Sequence, residues 1–264
     1  MDFAIASDPP LRAAAWIGAA ALLASAAMLA AILVLRLRLA ARLAHEQRFA
    51  GRWQPVFAAC ALGAPENVPA LDAADGALFL ALWLRAQESL RGEAQRHLNA
   101  LAARVGADRL AVGYLATGDP RREMLALVAA GHLRLAGIWP LAEGLAAQAP
   151  PVIALTAAQA LLRIDTARAL PGLLALAARR DDWPIARVGA MLRECEVGIA
   201  GPALAAAIDA ERELARAAGL VRLLRLLHAF AAEAARRAVR AVLDQVDDPE
   251  VAAAAVGTLW HPQD

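Results

Sequence analysis

The chain contains no lysine, so all 27 of its basic residues are arginine. No individual arginine can therefore be read as chosen over lysine for its position. Cysteine is nearly absent: Cys60 and Cys195 stand far apart with no CxxC spacing. That argues against a disulfide framework and against a cysteine-based zinc site. Aromatic residues make up only 5% of the chain. The five histidines, His45, His97, His132, His228 and His261, are scattered, and none lies three or four residues from another. No helix face thus offers two imidazole ligands. Glycine-rich phosphate loops, GxSxG elbows and Cys/His pairings are missing as well. The formal net charge of +1 gives no strong pull toward nucleic acid. These absences predict no catalytic residue, no metal, no cofactor and no nucleic-acid partner.

What the chain has instead is apolar helix-forming sequence. Hydrophobic residues reach 60%, above the usual ~45–50%. One block accounts for part of the excess: residues 13–35, "AAAWIGAAALLASAAMLAAILVL", carry no charge. As a helix they would extend about 34 Å, enough for a hydrocarbon core of about 30 Å. The preceding residues 1–12 hold two aspartates and one arginine, a poor leader for a cleaved signal. Arginines crowd the far side at Arg36, Arg38, Arg42, Arg48 and Arg52, against Arg12 alone before it. The positive-inside rule then places the N-terminus outside and the remainder in the cytoplasm. Residues 36–50 read as an amphipathic collar, with Arg36, Arg38 and Arg42 at the headgroups.

Residues 51–118 read as helical but irregular. "GRWQPVF" is expected to start a short helix with Pro55 in its first turn, and the loop "GAPENVPALDAADGA" follows. Two helices then part near Gly92, the second ending at a Gly106 cap, with Trp83 in the core.

Residues 119–264 repeat. Pro140, Pro171 and Pro202 recur every 31 residues, each expected to open an apolar helix. An interleaved series places Pro120, Pro151, Pro184 and Pro249 at spacings of 31, 33 and 65. Asp119, Asp165, Asp182 and Asp248 precede helix starts, where a carboxylate can cap exposed N–H groups. Two helix starts per period mean a tandem array of hairpins, an all-α superhelix in which neighbours bury each other's apolar faces.

The opening "DDPEV", the Ala/Leu spacing that follows, and second helices such as "ALPGLLALA" resemble the HEAT repeat. The resemblance implies an α-solenoid over about residues 119–264, with residues 51–118 as divergent repeats or a cap. In HEAT repeats an arginine after that valine pairs with aspartates of adjacent repeats. Here Ala252 follows Val251, and Arg187 is the nearest equivalent, in one repeat only. The layout of one span, an arginine collar and then repeats resembles membrane-anchored HEAT-repeat proteins of proteobacteria. That likeness implies a non-catalytic inner-membrane scaffold, with a membrane glycosyltransferase of polysaccharide assembly as its partner protein.

Two surfaces are candidates for contact. Arg85, Glu88, Arg91, Glu93 and Arg96 form the densest polar cluster, with Glu88 in reach of Arg85 or Arg91 and Glu93 of Arg96 or His97. Arg179, Arg180, Arg222, Arg225, Arg236, Arg237 and Arg240 could line a positive groove. Such a groove would suit the alternative reading, a sensor or enzyme for a small phosphorylated or anionic ligand.

Overall fold

A computed structural model of the chain describes residues 9–214, 216–230 and 251–253. The regular structure among these residues is entirely helical. The chain divides into two compact units, Met1–Ala58 and Ala59–Asp264.

The described residues of the first unit lie on one helix, α1 (Pro9–Ala59). Its apolar part is long and hydrophobic enough to cross a membrane. Side chains along that part face outward, Trp16 being 77% exposed and Leu22 74%. Arg36, Arg38 and Arg42 follow on the same uninterrupted helix and are exposed. The expected break at Gly51 does not occur: Pro55 sits inside α1 rather than opening a new helix. Phe49, Trp53 and Phe57, four residues apart, stack along one stripe with ring centroids 5.9 Å apart. This aromatic ladder favours continued helix across the glycine.

The second unit begins with the loop and then α2 (Gly76–Ser89), α3 (Glu93–Val105) and α4 (Ala107–Leu115). The α2/α3 break lies at Gly92, and Gly106 ends α3 with a left-handed φ of 82°. Helices α5 (Pro120–His132), α6 (Trp139–Gln148), α7 (Pro151–Ile164) and α8 (Thr166–Arg179) follow. They continue with α9 (Ile185–Arg193), α10 (Val197–Glu213) and α11 (Ala217–Phe230).

Three pairs of helices one period apart pack together: α5 with α7, α8 with α10, and α9 with α11. Helix α6 also packs on α7, and α11 on α8. Each helix buries one face. In α8 that face is Leu170, Leu173, Leu174 and Ala177, at three- and four-residue spacing. Each fully buried leucine contributes about 1.5–3 kcal/mol. Small residues set the distances. A Cβ on Gly131 would lie 3.0 Å from the Ala160 Cα, so α5 and α7 touch backbone to backbone there.

The caps follow the sequence in part. Asp119 accepts from the Arg121 N–H at 3.0 Å, with Pro120 first in α5, and Asp165 accepts from the Arg168 N–H at 3.1 Å. Asp182 does not cap α9, because its carboxylate is taken by Arg180, whose Nε donates to it at 2.9 Å. That hydrogen bond, more than any other influence, holds the Asp182 carboxyl below its ordinary pKa.

Pro171 and Pro202 do not open their helices. Each is the sixth residue of its helix, α8 and α10. Asp165 draws the start of α8 upstream to Thr166. In the first repeat a 3-10 turn, Ala136–Ile138, occupies the same place before Pro140. Pro171 and Pro202 are exposed, and so are Ala167 and Gly198, four residues before them. The carbonyl deprived of its N–H donor therefore lies at the solvent side, which lowers the cost of an interior proline. Asp248 and Pro249 lie outside the described residues.

Candidate functional site: a polar groove across four helices

The 31-residue period has a consequence the prolines do not reveal. His132, Arg163 and Glu194 occupy equivalent positions in successive repeats, and the fold brings them into a row. They sit near the C-terminal ends of α5, α7 and α9, beside α3. Together these elements enclose a groove of about 590 Å³.

Arg163 is the centre of the row. Its Nη1 lies 2.6 Å from His132 Nε2, and its Nη2 lies 3.6 Å from Glu194 Oε2. Gln159, one turn before Arg163, donates to the same Glu194 oxygen at 3.4 Å. Because a guanidinium is always a donor, His132 Nε2 must accept, which assigns the ring proton to Nδ1. Burial, and then the Arg163 charge, push the His132 pKa down to about 4. The imidazole is thus neutral at pH 7. It fixes the arginine without cancelling its charge.

Beneath the row lies a second polar layer. Trp83, fully buried, meets the His132 ring edge-on with centroids 6.0 Å apart. Its Nε1 donates to the Leu98 carbonyl at 3.1 Å. Gln95 donates to Gln87 at 2.8 Å, Gln87 donates to Asn99, and Asn99 donates to the His132 carbonyl at 3.4 Å. The chain of amides ties α2 and α3 to the end of α5.

Arg134 completes the groove wall. Its φ of 51° makes it the one non-glycine residue in the left-handed region among the described residues. It follows the α5 C-cap, where Leu135 N–H bonds Ala130 O at 3.0 Å and Arg134 N–H bonds Gly131 O at 3.2 Å. Glycine is the usual occupant of that position. A side chain there costs about 1–2 kcal/mol.

The charge on His132 makes stability depend on pH in a defined direction. Above pH 6.5 the ring is neutral both folded and unfolded. As pH falls from 6.5 to about 4, the unfolded chain takes up a proton that the folded chain refuses. Stability is therefore present above pH 6.5 and is lost through that window. With the ring partly accessible, the loss is about 1–2 kcal/mol. Subtracting the urea stability of His132→Gln from that of the parent at each pH cancels the carboxylate titrations. The difference is expected to be level above pH 6.5 and to fall by that amount by pH 4. A difference that does not change with pH contradicts this assignment.

The residues singled out from sequence are distributed differently. Arg85, Glu88, Arg91, Glu93 and Arg96 are all exposed. Glu93 and Arg96 pair at 3.6 Å as expected. Arg91 turns instead to the carbonyls of Gln87, Glu88 and Leu90, each at 3.1 Å, and so closes the end of α2. His97 lies 3.2 Å from the Cys60 carbonyl rather than on Glu93. Of the five, Arg96 alone lines the groove.

The arginine-rich surface divides. Arg180 spends its guanidinium on Asp182 and on the carbonyls of Ala146, Ala147 and Ala149 at the end of α6. Arg222 does the same one hairpin later, reaching the carbonyls of Ala177, Arg180 and Trp183 at 2.7–2.9 Å. Arg179 donates to Ala175 O in its own helix. Arg180 and Arg222 thus join helix ends to later parts of the chain. Arg187, the single counterpart of the HEAT-type arginine, is exposed, and arginine-to-carbonyl bonds link the helices. Arg236, Arg237 and Arg240 lie outside the described residues.

Among the described residues no group of three or more His, Cys, Asp or Glu could hold a metal ion. Burial pushes both thiols, Cys60 and Cys195, above their ordinary pKa. Searches of protein-family models, of curated proteins and of solved structures find nothing that matches the chain.

Proposed function

We propose that the chain is a single-pass, membrane-anchored α-solenoid that acts as a non-catalytic scaffold for a partner protein. The observation that carries this reading is the packing of helices one period apart, α5 on α7, α8 on α10 and α9 on α11. Units stacked in this way bury their apolar faces against each other and leave an extended surface for binding. The arginines after the apolar segment favour an N-terminus outside and a cytoplasmic repeat unit, in a bacterial inner membrane. The resemblance to HEAT repeats agrees with that arrangement. The likeness to anchored repeat proteins of polysaccharide assembly points to a membrane glycosyltransferase as the partner.

Photo-crosslinkers placed at the exposed Glu88 and Arg91 of the full-length chain, in its native membranes, test the proposal. The expected product is a reproducible adduct containing one membrane enzyme, identified by mass spectrometry. Failure of both positions to capture a reproducible protein, with the chain present in the membrane fraction, overturns it.

A further inference from the structure

We infer that the groove between α3, α5, α7 and α9 is a binding site for a small phosphate-bearing ligand such as a sugar phosphate or a nucleotide. It is separate from the scaffold reading, and none of its evidence rests on that reading.

Three observations converge. First, the volume of about 590 Å³ lies within the range of small-molecule sites. Second, the charges lining the groove do not balance. Arg96, Arg134 and Arg163 line the groove with Glu194 as its single carboxylate; Glu93, outside the groove, pairs with Arg96 at 3.6 Å, and Arg134 is left without an anionic partner. Glu194 holds only one corner of Arg163, at 3.6 Å, beyond hydrogen-bond length. Arg163 is otherwise fixed by the histidine acceptor, so its orientation needs no anionic partner. Third, Arg134 stands at a backbone position suited to glycine and makes no side-chain hydrogen bond or ion pair among the described residues. Strain of this kind collects where a side chain has a use that stability does not explain.

Guanidinium groups suit phosphate because their forked donors match its oxygens. Gln95 and Gln159 also line the groove, and each keeps a second amide N–H beyond its bond to Gln87 or Glu194 that can meet a hydroxyl of the same ligand. The combination of several cationic forks with neutral amides favours a phosphorylated, hydroxyl-bearing molecule over a simple anion.

The test uses the full-length chain in detergent, with glucose 6-phosphate, ADP and inorganic phosphate as probes. Glucose and ionic-strength-matched chloride are the controls. Thermal melting is expected to shift upward with the first two probes, saturably, and to stay unchanged in the controls. Arg134→Gly is the informative variant, because it removes the charge and relieves the backbone strain together. It is expected to melt at or above the parent temperature without ligand, while binding at least tenfold more weakly. Arg96→Gln is expected to weaken binding severalfold. Two results overturn the inference: no shift with any probe, or Arg134→Gly binding as tightly as the parent. If soluble probes fail but short-chain phosphatidylglycerol shifts the melt and Arg134→Gly abolishes that shift, the phosphate is a lipid headgroup and the soluble-ligand assignment is overturned. Loss of the crosslinked partner above would leave this result unaffected.

Discussion

Arg222→Ala is expected to destabilise the repeat unit by about 3 kcal/mol. The reason is the number of carbonyls it serves. From α11 its Nε donates to Ala177 O at 2.9 Å, and its Nη2 donates to Arg180 O and Trp183 O at 2.7 and 2.8 Å. These carbonyls end α8 and form the turn into α9, where a helix leaves acceptors without intrahelical donors. The end of the helix dipole is also negative there, which favours a cation. Hydrogen bonds from a charged donor contribute about 1.5–3 kcal/mol each and are not additive, so roughly 3 kcal/mol for the group is conservative. In a unit of this size that corresponds to a melting temperature lower by about 6–12 °C. Arg222→Lys is expected to recover less than half, since an ammonium cannot fork to carbonyls on both sides of the turn. Melting of the full-length variants in detergent measures both. A melting temperature for Arg222→Ala within a degree of the parent would falsify the role.

Trp83→Ala is expected to be more damaging still, at about 3–5 kcal/mol. The indole is fully buried, so truncation leaves a cavity in addition to losing transfer energy. It also leaves the Leu98 carbonyl without its donor and removes the edge contact beneath His132. Trp83→Phe separates these effects. It keeps most of the volume and loses the hydrogen bond, and about 1–3 kcal/mol is the expected cost of the orphaned carbonyl. Urea denaturation of parent and variants measures the series. If Trp83→Phe proves as harmful as Trp83→Ala, the lost hydrogen bond rather than the lost volume governs the site. If Trp83→Ala costs under 1 kcal/mol, the tryptophan is not part of the core as described.

The braced carbonyls follow the period: Ala146 in α6 receives Arg180, and Ala177, 31 residues on in α8, receives Arg222. Arg180 and Arg222 each tie a helix end to the hairpin that follows. His132, Arg163 and Glu194 recur at the same 31-residue spacing that places the prolines. The row was legible in principle: an offset of 31 from His132 reaches Arg163 and then Glu194. It is easily passed over because the three residues differ chemically, and a repeat is sought through likeness. Prolines advertise the period, whereas the polar row changes identity at every step.

By itself, the sequence determined what depends on near neighbours in the chain. The uncharged run of residues 13–35, the all-helical character, the α3 stop at Gly106 and the caps at Asp119 and Asp165 all follow from residues within a turn or two. Tertiary structure decided everything that depends on a distant partner. Pro171 and Pro202 moved one turn inside their helices, because an exposed carbonyl can lose its donor to a proline when water is at hand. Arg180 and Arg222 became braces because helix ends 31 to 45 residues earlier in the chain offered open carbonyls. Gly131 lets α5 approach α7 closely, and His132 beside it meets Arg163, 31 residues away in the chain. Local propensities fix where helices begin and end, but the destination of a long, charged side chain is fixed by which unpaired acceptor the packed neighbours place within its reach.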